Sequence, residues 1–475
     1  MLTQAPKGTQ DMLPKDAYRW QEIARTMREA CALAGYQEIR TPIFEHTELF
    51  QRGVGDTTDV VQKEMYTFED KGNRSITLKP EGTAGAVRAF IESHMYAETL
   101  PVKLYYSACP CFRYEKPQSG RLRQFHQNGV EVFGAKDASV DAEIIKLAMD
   151  ILHANGIDGL RLNINSIGCP NCRAAYLDVL RAYLAPKLPT LCKTCQERFD
   201  RNPMRILDCK EDAPKLMDAP AMLDNLCEEC STHFEKLKAY LEPKLPTLCK
   251  TCQERFERNP MRILDCKEDA PKLTDAPAML DNLCEDCAGH FEKLKGYLGA
   301  MGLDYAIDPR IVRGLDYYTK TVFEIITDAP DGGELTVCGG GRYDGLVEEL
   351  GGPATPGIGW GMGIERMIMV QDMRGSAPAA PAPLDVLVVT LGDDARMEGV
   401  KLVSELRAKG IKADLDHAAR SMKAQFKYAN KLGVKKVIVI AGDELEKGVV
   451  KLRDMEASSE AEVARGEIVN LLIRN

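Results

Sequence analysis

The sequence predicts a mixed α+β protein: a body built on an antiparallel sheet, a helical cysteine-rich insertion that interrupts it, and a small α/β domain at the end. Three observations carry this. "LYYSACPCFRYE" and "FHQNGVEVFG" have the composition of strands, and "KPQSGRLRQ" between them has the Pro, Gly and basic residues of a long hairpin loop. Strand-like composition returns only at "RGLDYYTKTVFEII" and "LTVCGGGRYDGLV", so the passage from about Cys169 to Leu298 interrupts a sheet. Beyond the Pro/Ala stretch "RGSAPAAPAP", strand and helix patterns alternate over about 90 residues, as in a parallel-sheet domain.

Taken in order, apolar spacing predicts a helix over residues 15–34 that ends near Gly35, and "YQEIRTPIFEHTELF" reads as a strand closed by a proline. After the hairpin, helical spacing resumes at Ala138–Ala154. "GIGWGMGIERMIMVQDM" reads as a glycine-rich turn entering a helix. The terminal domain reads as "LDVLVVT", a helix to about Lys409, "IKADLDH", a helix to about Leu432 and "KKVIVIAG". The expected division is 1–168 with 299–374 for a discontinuous catalytic body, 169–298 for the insertion, 375–383 for a linker and 384–475 for the terminal domain.

The 475 residues are 44% apolar and 28% charged, the balance of a globular protein, and no apolar run approaches the ~18 residues that span a bilayer. "MLTQAPKGTQDMLPKD" has no apolar signal region, so a cytoplasmic protein without membrane attachment is expected. The net charge of −9 argues against non-specific coating of nucleic acid, which needs a basic surface.

Twelve of the 16 cysteines lie between Cys169 and Cys287. Here "KLPTLCKTCQERF" occurs twice, and laying Pro186–Leu241 over Pro243–Leu298 leaves six differences in 56 positions. Two copies are too few for a solenoid. Tandem duplication and an error in assembling the sequence explain the identity equally well. In a reducing compartment, repeated CxxC reads as metal or redox chemistry rather than a disulfide framework. Cys192, Cys195, Cys227, Cys230, Cys249, Cys252, Cys284 and Cys287 are candidate ligands for structural Zn2+. The gap from Cys172 to Cys192 holds 19 residues, within zinc-ribbon range, but that from Cys195 to Cys227 holds 31, and five CxxC pairs leave one over. Buried free thiols are the competing reading.

Chemistry is better placed in the hairpin. With a period of two, Phe125, Gln127, Gly129, Glu131 and Phe133 share one face, so Gln127 and Glu131 flank a glycine where a small polar ligand would fit. A solvated sheet face is the plain alternative. On the companion strand Cys109, Cys111, Arg113 and Glu115 fall together, and the loop adds Arg121 and Arg123. Arginine forks around one hairpin suit a triphosphate. Neither common nucleotide-binding loop is present, so any nucleotide is held by side chains on a sheet.

"GYQEIRTPIFE", "CFRYEKPQSGRLRQFHQNGVEVFG" and "GIGWGMGIERM" resemble, in order, the three signature motifs of class II aminoacyl-tRNA synthetases. "KGTQDMLP", "LKPEGTAGAVRAFI", "IVRGLDYYTKTVFEI" and "GGGRYDGLVEELGG" narrow the resemblance to the histidyl-tRNA synthetase family. It covers the chain apart from one copy of the repeat.

The resemblance implies activation of L-histidine with ATP and Mg2+, and transfer to the 3′ end of tRNA(His), by a homodimer. It implies that Glu81, Thr83 and Gln127 hold the substrate ammonium and that Glu131 and Tyr318, with Tyr317 beside it, meet the imidazole. Arg113 would bind the α-phosphate, Arg121 and Arg366 the outer phosphates, and Phe125 would stack on adenine; a helix salt bridge is the alternative for Arg366. Arg313 is the expected catalytic residue, with Arg113. The insertion, typified by "NPMRILDCK", would reach the acceptor arm of tRNA, and the terminal domain would bind the anticodon. Arg420, Lys423, Lys427 and Lys431 would meet phosphates there, or form a solvated helix face. A non-catalytic regulatory subunit of histidine biosynthesis is the rival, but such relatives usually lack the insertion, the terminal domain and the arginine of "RGLDYY". A zinc-dependent nucleic-acid-binding module would predict a basic chain.

Overall fold

The computed structural model describes residues 4–55, 58, 60–117, 120–166, 185–190, 242–248, 253, 285–308, 311, 317–329 and 333–474. The chain forms two compact units, Met1–Pro378 and Ala379–Asn475.

The strands of the first unit are β1 (Gln37–Glu38), β2 (Phe44–His46), β3 (Tyr66–Glu69), β4 (Ser75–Leu78), β5 (Val102–Phe112), β6 (Gln124–Phe133), β7 (Arg161–Ser166), β8 (Ala306–Ile307), β9 (Thr319–Asp328), β10 (Glu334–Arg342) and β11 (Gly357–Gly363). Eight form one sheet in the order β1-β5-β6-β11-β10-β9-β7-β8. Its middle, β5 to β7, is antiparallel throughout, and the two-residue edge strands β1 and β8 pair in parallel. The expected hairpin is present as β5 and β6. The proline in "RTPIFE" does more than close a strand, because it cannot donate to a ladder. The chain leaves the large sheet after β1 and enters a second sheet, β2-β4-β3.

One face of the large sheet is covered by the helices Pro14–Leu33, Ala138–Ala154, Glu285–Ala300 and Ile364–Arg374. Ile23, Met27, Ile144, Ile145, Ile151, Phe291, Leu294, Leu298 and Met367 pack there against Val130, Val132, Phe323, Ile325, Ile358, Trp360 and Met362. Trp360 Nε1 donates to Ile144 O at 2.9 Å, which satisfies the one polar atom of a fully buried indole.

The glycine-rich passage "GIGWGMG" is a central strand rather than the expected turn. Ile358, Trp360 and Met362 point to the helices, while Gly357, Gly359, Gly361 and Gly363 alternate onto the other face. The reason is close approach: a Cβ on Gly359 would lie 2.0 Å from Glu131 Oε2.

The two copies of "PKLPT" adopt the same turn of 3-10 helix, at Ala185–Thr190 and Glu242–Thr247. Thr190 Oγ1 bonds Lys187 O and Thr247 Oγ1 bonds Lys244 O, each at 2.7 Å.

The second unit carries β12 (Val386–Thr390), β13 (Ala413–Leu415), β14 (Lys436–Ile440), β15 (Val449–Asp454) and β16 (Ser459–Ala464) in the order β13-β12-β14-β15-β16. The parallel part follows the sequence pattern. Val386 and Val388 pack with the helix Asp393–Ala408, and Leu387 and Val389 with Met422–Leu432, so β12 is apolar on both faces. The antiparallel pair β15 and β16 was not anticipated, since "SSEAEVA" has little apolar signal and β16 is almost wholly exposed.

Candidate active site

The sheet face opposite the helices opens into a cleft of about 310 Å³. Glu81, Thr83, Arg113, Arg121, Phe125, Gln127, Tyr317, Tyr318 and Arg366 all line it, although they come from distant parts of the sequence. Arg313 lies outside the described residues, as do Cys192, Cys195, Cys227, Cys230, Cys249, Cys252 and Cys284. Cys287 is described and buried. Among the described residues no three His, Cys, Asp or Glu side chains are grouped to hold a metal.

One end of the cleft is acidic and amidic. Glu81 caps the helix Thr83–Glu92: its Oε2 accepts from Thr83 N at 2.6 Å and its Oε1 from Ala84 N at 2.8 Å. Burial pushes its pKa up, and these amides act against the rise. Gln127 Oε1 accepts from Cys111 Sγ at 3.4 Å. The Arg113 charge also acts on Glu81, and a cation entering here would add to that compensation.

Glu131 belongs to the expected face of β6 but lies beneath the cleft wall, fully buried and not among the lining residues. Tyr106 Oη donates to its Oε1 at 3.2 Å, and Tyr343 Oη donates to its Oε2. Burial drives its pKa to about 8 despite these donors.

Tyr106 and Tyr343 were missed by sequence reasoning, for different reasons. A bulge between Tyr106 and Cys109, with Ala108 at φ 49°, inserts a residue and changes which side chains share a face. Strict alternation therefore puts Tyr106 on the wrong side. Its ring fills the room left by two glycines, since a Cβ on Gly82 or Gly129 would lie 2.4 or 2.3 Å from it. Tyr343 stands in the quoted "GGGRYDG", where a role was legible only as part of the motif.

The other end is cationic. Arg113 Nε donates to Pro80 O at 2.9 Å, and its guanidinium stands 5.6 Å from the Phe125 ring centre. Arg366 donates to Gly120 O at 3.2 Å and Thr336 O at 2.7 Å, so its partners are neutral carbonyls rather than the carboxylate of a helix salt bridge. Burial, then Arg121, push its pKa down. Arg121 is half exposed, 3.7 Å from Glu115. Arg123 is turned away: it donates to Glu115 O and covers the Tyr114 ring at 4.1 Å. Three guanidiniums converge here with Glu115 and Glu324 beside them, an arrangement that suits a polyanion held together with a divalent cation.

An antiparallel sheet with helices on one face and a slot on the other, anionic at one end and arginine-lined at the other, has the architecture of a class II aminoacyl-tRNA synthetase core. The family model for histidyl-tRNA synthetase matches residues 8–172 and 221–367, and that for an anticodon binding domain matches 385–475. A histidine–tRNA ligase from Clostridium perfringens is 50% identical over 475 aligned residues, covering 99% of this chain and all of its own. One from Alkaliphilus oremlandii is 52% identical over 471, covering 99% and 98%. The crystal structure of apo histidyl-tRNA synthetase from Staphylococcus aureus superposes with a TM-score of 0.71 at 37% identity, covering 99% of each chain. The chain belongs to the histidyl-tRNA synthetase family.

In the second unit, Lys423, Lys427 and Lys431 project to solvent from the helix Met422–Leu432. Arg420 differs: it pairs with buried Asp416 at 2.6 Å and covers the Tyr428 ring at 4.2 Å, which makes it a structural residue. No described helix is long and apolar enough to cross a membrane.

Proposed function

We propose that the chain joins L-histidine to ATP, forming histidyl adenylate and pyrophosphate, and passes the histidyl group to the 3′ end of tRNA(His). The observation that supports this most directly is the polarity of the cleft, which suits an ammonium at one end and a triphosphate at the other. Family membership supplies the particular amino acid.

In this reading Glu81, Thr83 and Gln127 hold the substrate ammonium, and the imidazole lies toward Tyr317, Tyr318 and Glu131. Contact with Glu131 is made when the Tyr106 hydroxyl yields its place on Oε1. The substrate carboxylate is itself the nucleophile: a bond forms from its oxygen to the α-phosphorus and the bond to pyrophosphate breaks. No enzyme base is needed. The obstacle is charge, since two anions meet and more negative charge builds at phosphorus. Arg113 holds the α-phosphate, Arg366 and Arg121 the outer phosphates, Phe125 stacks on adenine, and Arg313 supplies a guanidinium to the developing charge. Glu324 and Glu115 line the arginine end and offer the hard oxygen donors that Mg2+ takes. Bound there with ATP, Mg2+ would neutralise phosphate charge. Structural zinc on the CxxC pairs is proposed on spacing alone.

We further place the enzyme in the cytoplasm as a homodimer, with Lys423, Lys427 and Lys431 offered to tRNA phosphates. Arg313, the insertion and the terminal domain are all present, which favours this reading over the regulatory subunit. The test is ATP–pyrophosphate exchange with each of the twenty amino acids. Exchange with histidine is expected, and exchange with another amino acid and none with histidine would overturn the assignment.

A further inference from the structure

The ladder between β6 and β11 ends at the pair Gln127 and Gly363, where β11 gives way to the helix Ile364–Arg374. Glu365, in the first turn of that helix, reaches back to the strand. Its Oε1 and Oε2 each accept from His126 N at 3.0 Å, so a carboxylate takes the place of the next ladder partner. Oε1 also lies 2.9 Å from His126 Nδ1, and because an ionised carboxylate only accepts, that nitrogen is the donor. The imidazole is held edge-on against Trp20, with ring centres 4.8 Å apart, and both members of the pair are largely buried.

The residues next to this clamp in the chain face the cleft: Phe125 precedes His126, and Arg366 follows Glu365. Arg366 grips the hairpin a second time, donating to Gly120 O at 3.2 Å. Glu365 also lines the cleft, but both of its oxygens point to His126. A carboxylate early in a helix favours the helix through its dipole, and a role limited to that would lower stability without separating the two Michaelis constants.

We infer that Glu365 is a positioning residue for ATP: by clamping His126 it sets the spacing between Phe125 and Arg366, and so keeps the adenine and phosphate ends of the nucleotide site in register. This assignment rests on the reading that those two residues receive adenine and the outer phosphates. Without the clamp, the start of β6 and the start of the helix can shift apart, and small misplacements of binding groups are costly. The amino-acid end is spared, because Gln127 and Glu131 stay paired with Gly363 and Gly359 along the ladder.

Full-length wild type, E365A, E365Q, H126A and the double variant are compared in histidine-dependent pyrophosphate exchange, and ATP binding is measured directly by titration calorimetry with Mg2+ present. E365A should raise the KM for ATP on the order of tenfold, the scale of a lost charge-assisted hydrogen bond, while the KM for histidine stays within about twofold. E365Q keeps an acceptor for His126 N and should recover most of the loss. H126A keeps the amide contact and should raise the ATP KM by less, and E365A with H126A should be no worse than E365A alone, because the two side chains act as one unit. Equal rises in both KM values, an unchanged KM for ATP in E365A, or additive losses in the double variant would each overturn the inference. So would E365Q as impaired as E365A with H126A silent, the pattern of a carboxylate that meets Mg2+ or nucleotide itself. If E365A does not fold, E365Q and H126A decide by the same split. If wild type shows no exchange with histidine, the functional reading falls instead, and calorimetry of wild type against E365A still judges the clamp, since equal ATP affinities would sink it.

Discussion

Arg342 and Asp141 meet at 2.5 Å with neither side chain exposed, joining the end of β10 to the helix Ala138–Ala154. Arg342 also donates to Ala135 O and Asp137 O, at 2.9 and 3.0 Å, and His290 Nε2 lies 3.0 Å from Asp141 Oδ1. The pair therefore fixes the chain just before Tyr343, whose hydroxyl reaches Glu131. Removing Asp141 leaves the buried guanidinium with the partly exposed Asp344, 3.2 Å away, as its remaining carboxylate partner among the described residues. Asp141→Ala should cost roughly 3–5 kcal/mol of unfolding free energy in urea titration, and a loss under about 1 kcal/mol would contradict this role.

Glu131 gives a pH signature. Its pKa rises from 4.5 to about 8 on folding, chiefly by burial. Between those values the native state keeps a proton that the unfolded chain has released. Its contribution to stability is thus complete below about pH 4.5 and is lost as pH rises through about 8. Glu131→Gln, which cannot ionise, should flatten the fall in stability across this range. Parallel slopes for the two proteins would refute the assignment.

Two glycines on β11 should respond differently to one methyl group. At Gly359 a Cβ would lie 2.0 Å from Glu131 Oε2 and 2.4 Å from Val130 O, and backbone cannot step aside. At Gly361 the nearest atom is Gln127 Nε2 at 3.5 Å, an ordinary contact. Gly359→Ala should lose about 3 kcal/mol or fail to fold, while Gly361→Ala should stay within about 1 kcal/mol. Equal melting temperatures for the two variants would show that the strand pairing is looser than described.

Arg313→Ala should lower the rate of adenylate formation by about 10²-fold or more, with little change in histidine affinity, because the charge acts mainly on the transition state. A raised KM for histidine with unchanged turnover would instead make Arg313 a binding residue.

Deleting Pro186–Glu242 removes one repeat unit and joins Ala185 to Pro243. The deletion keeps the helix Glu285–Ala300, which packs on the catalytic sheet, so pyrophosphate exchange should survive within a few-fold and aminoacylation should be kept or improved. If each copy holds zinc, bound metal should fall by one per chain. A soluble, folded deletion protein without exchange activity would make the deleted first copy part of the catalytic body.

The sequence by itself determined most of the local elements and the identity of many residues that line the cleft. Ala138–Ala154 is a helix at the residues its apolar period marks, and β5 and β6 pair as the hairpin composition implies. Both signals are local: a period of 3.6 or 2 and a turn's Gly and Pro act over a few residues, wherever the chain later goes. The identities of Glu81, Gln127, Arg113 and Arg366 were legible for the same reason, through motifs that are continuous in the chain. Tertiary structure alone decided how they meet. That "GIGWGMG" is a strand follows from what stands across from its glycines, Glu131 and Gln127 on β6. That Glu131 is buried rather than displayed follows from two phenols, 25 and 212 residues away, closing over it. Tyr106 reaches it only because a bulge reverses the strand's alternation. Burial and hydrogen bonding across a sheet depend on strand order and register, which bring distant residues within 3 Å, and no window along the sequence contains that distance.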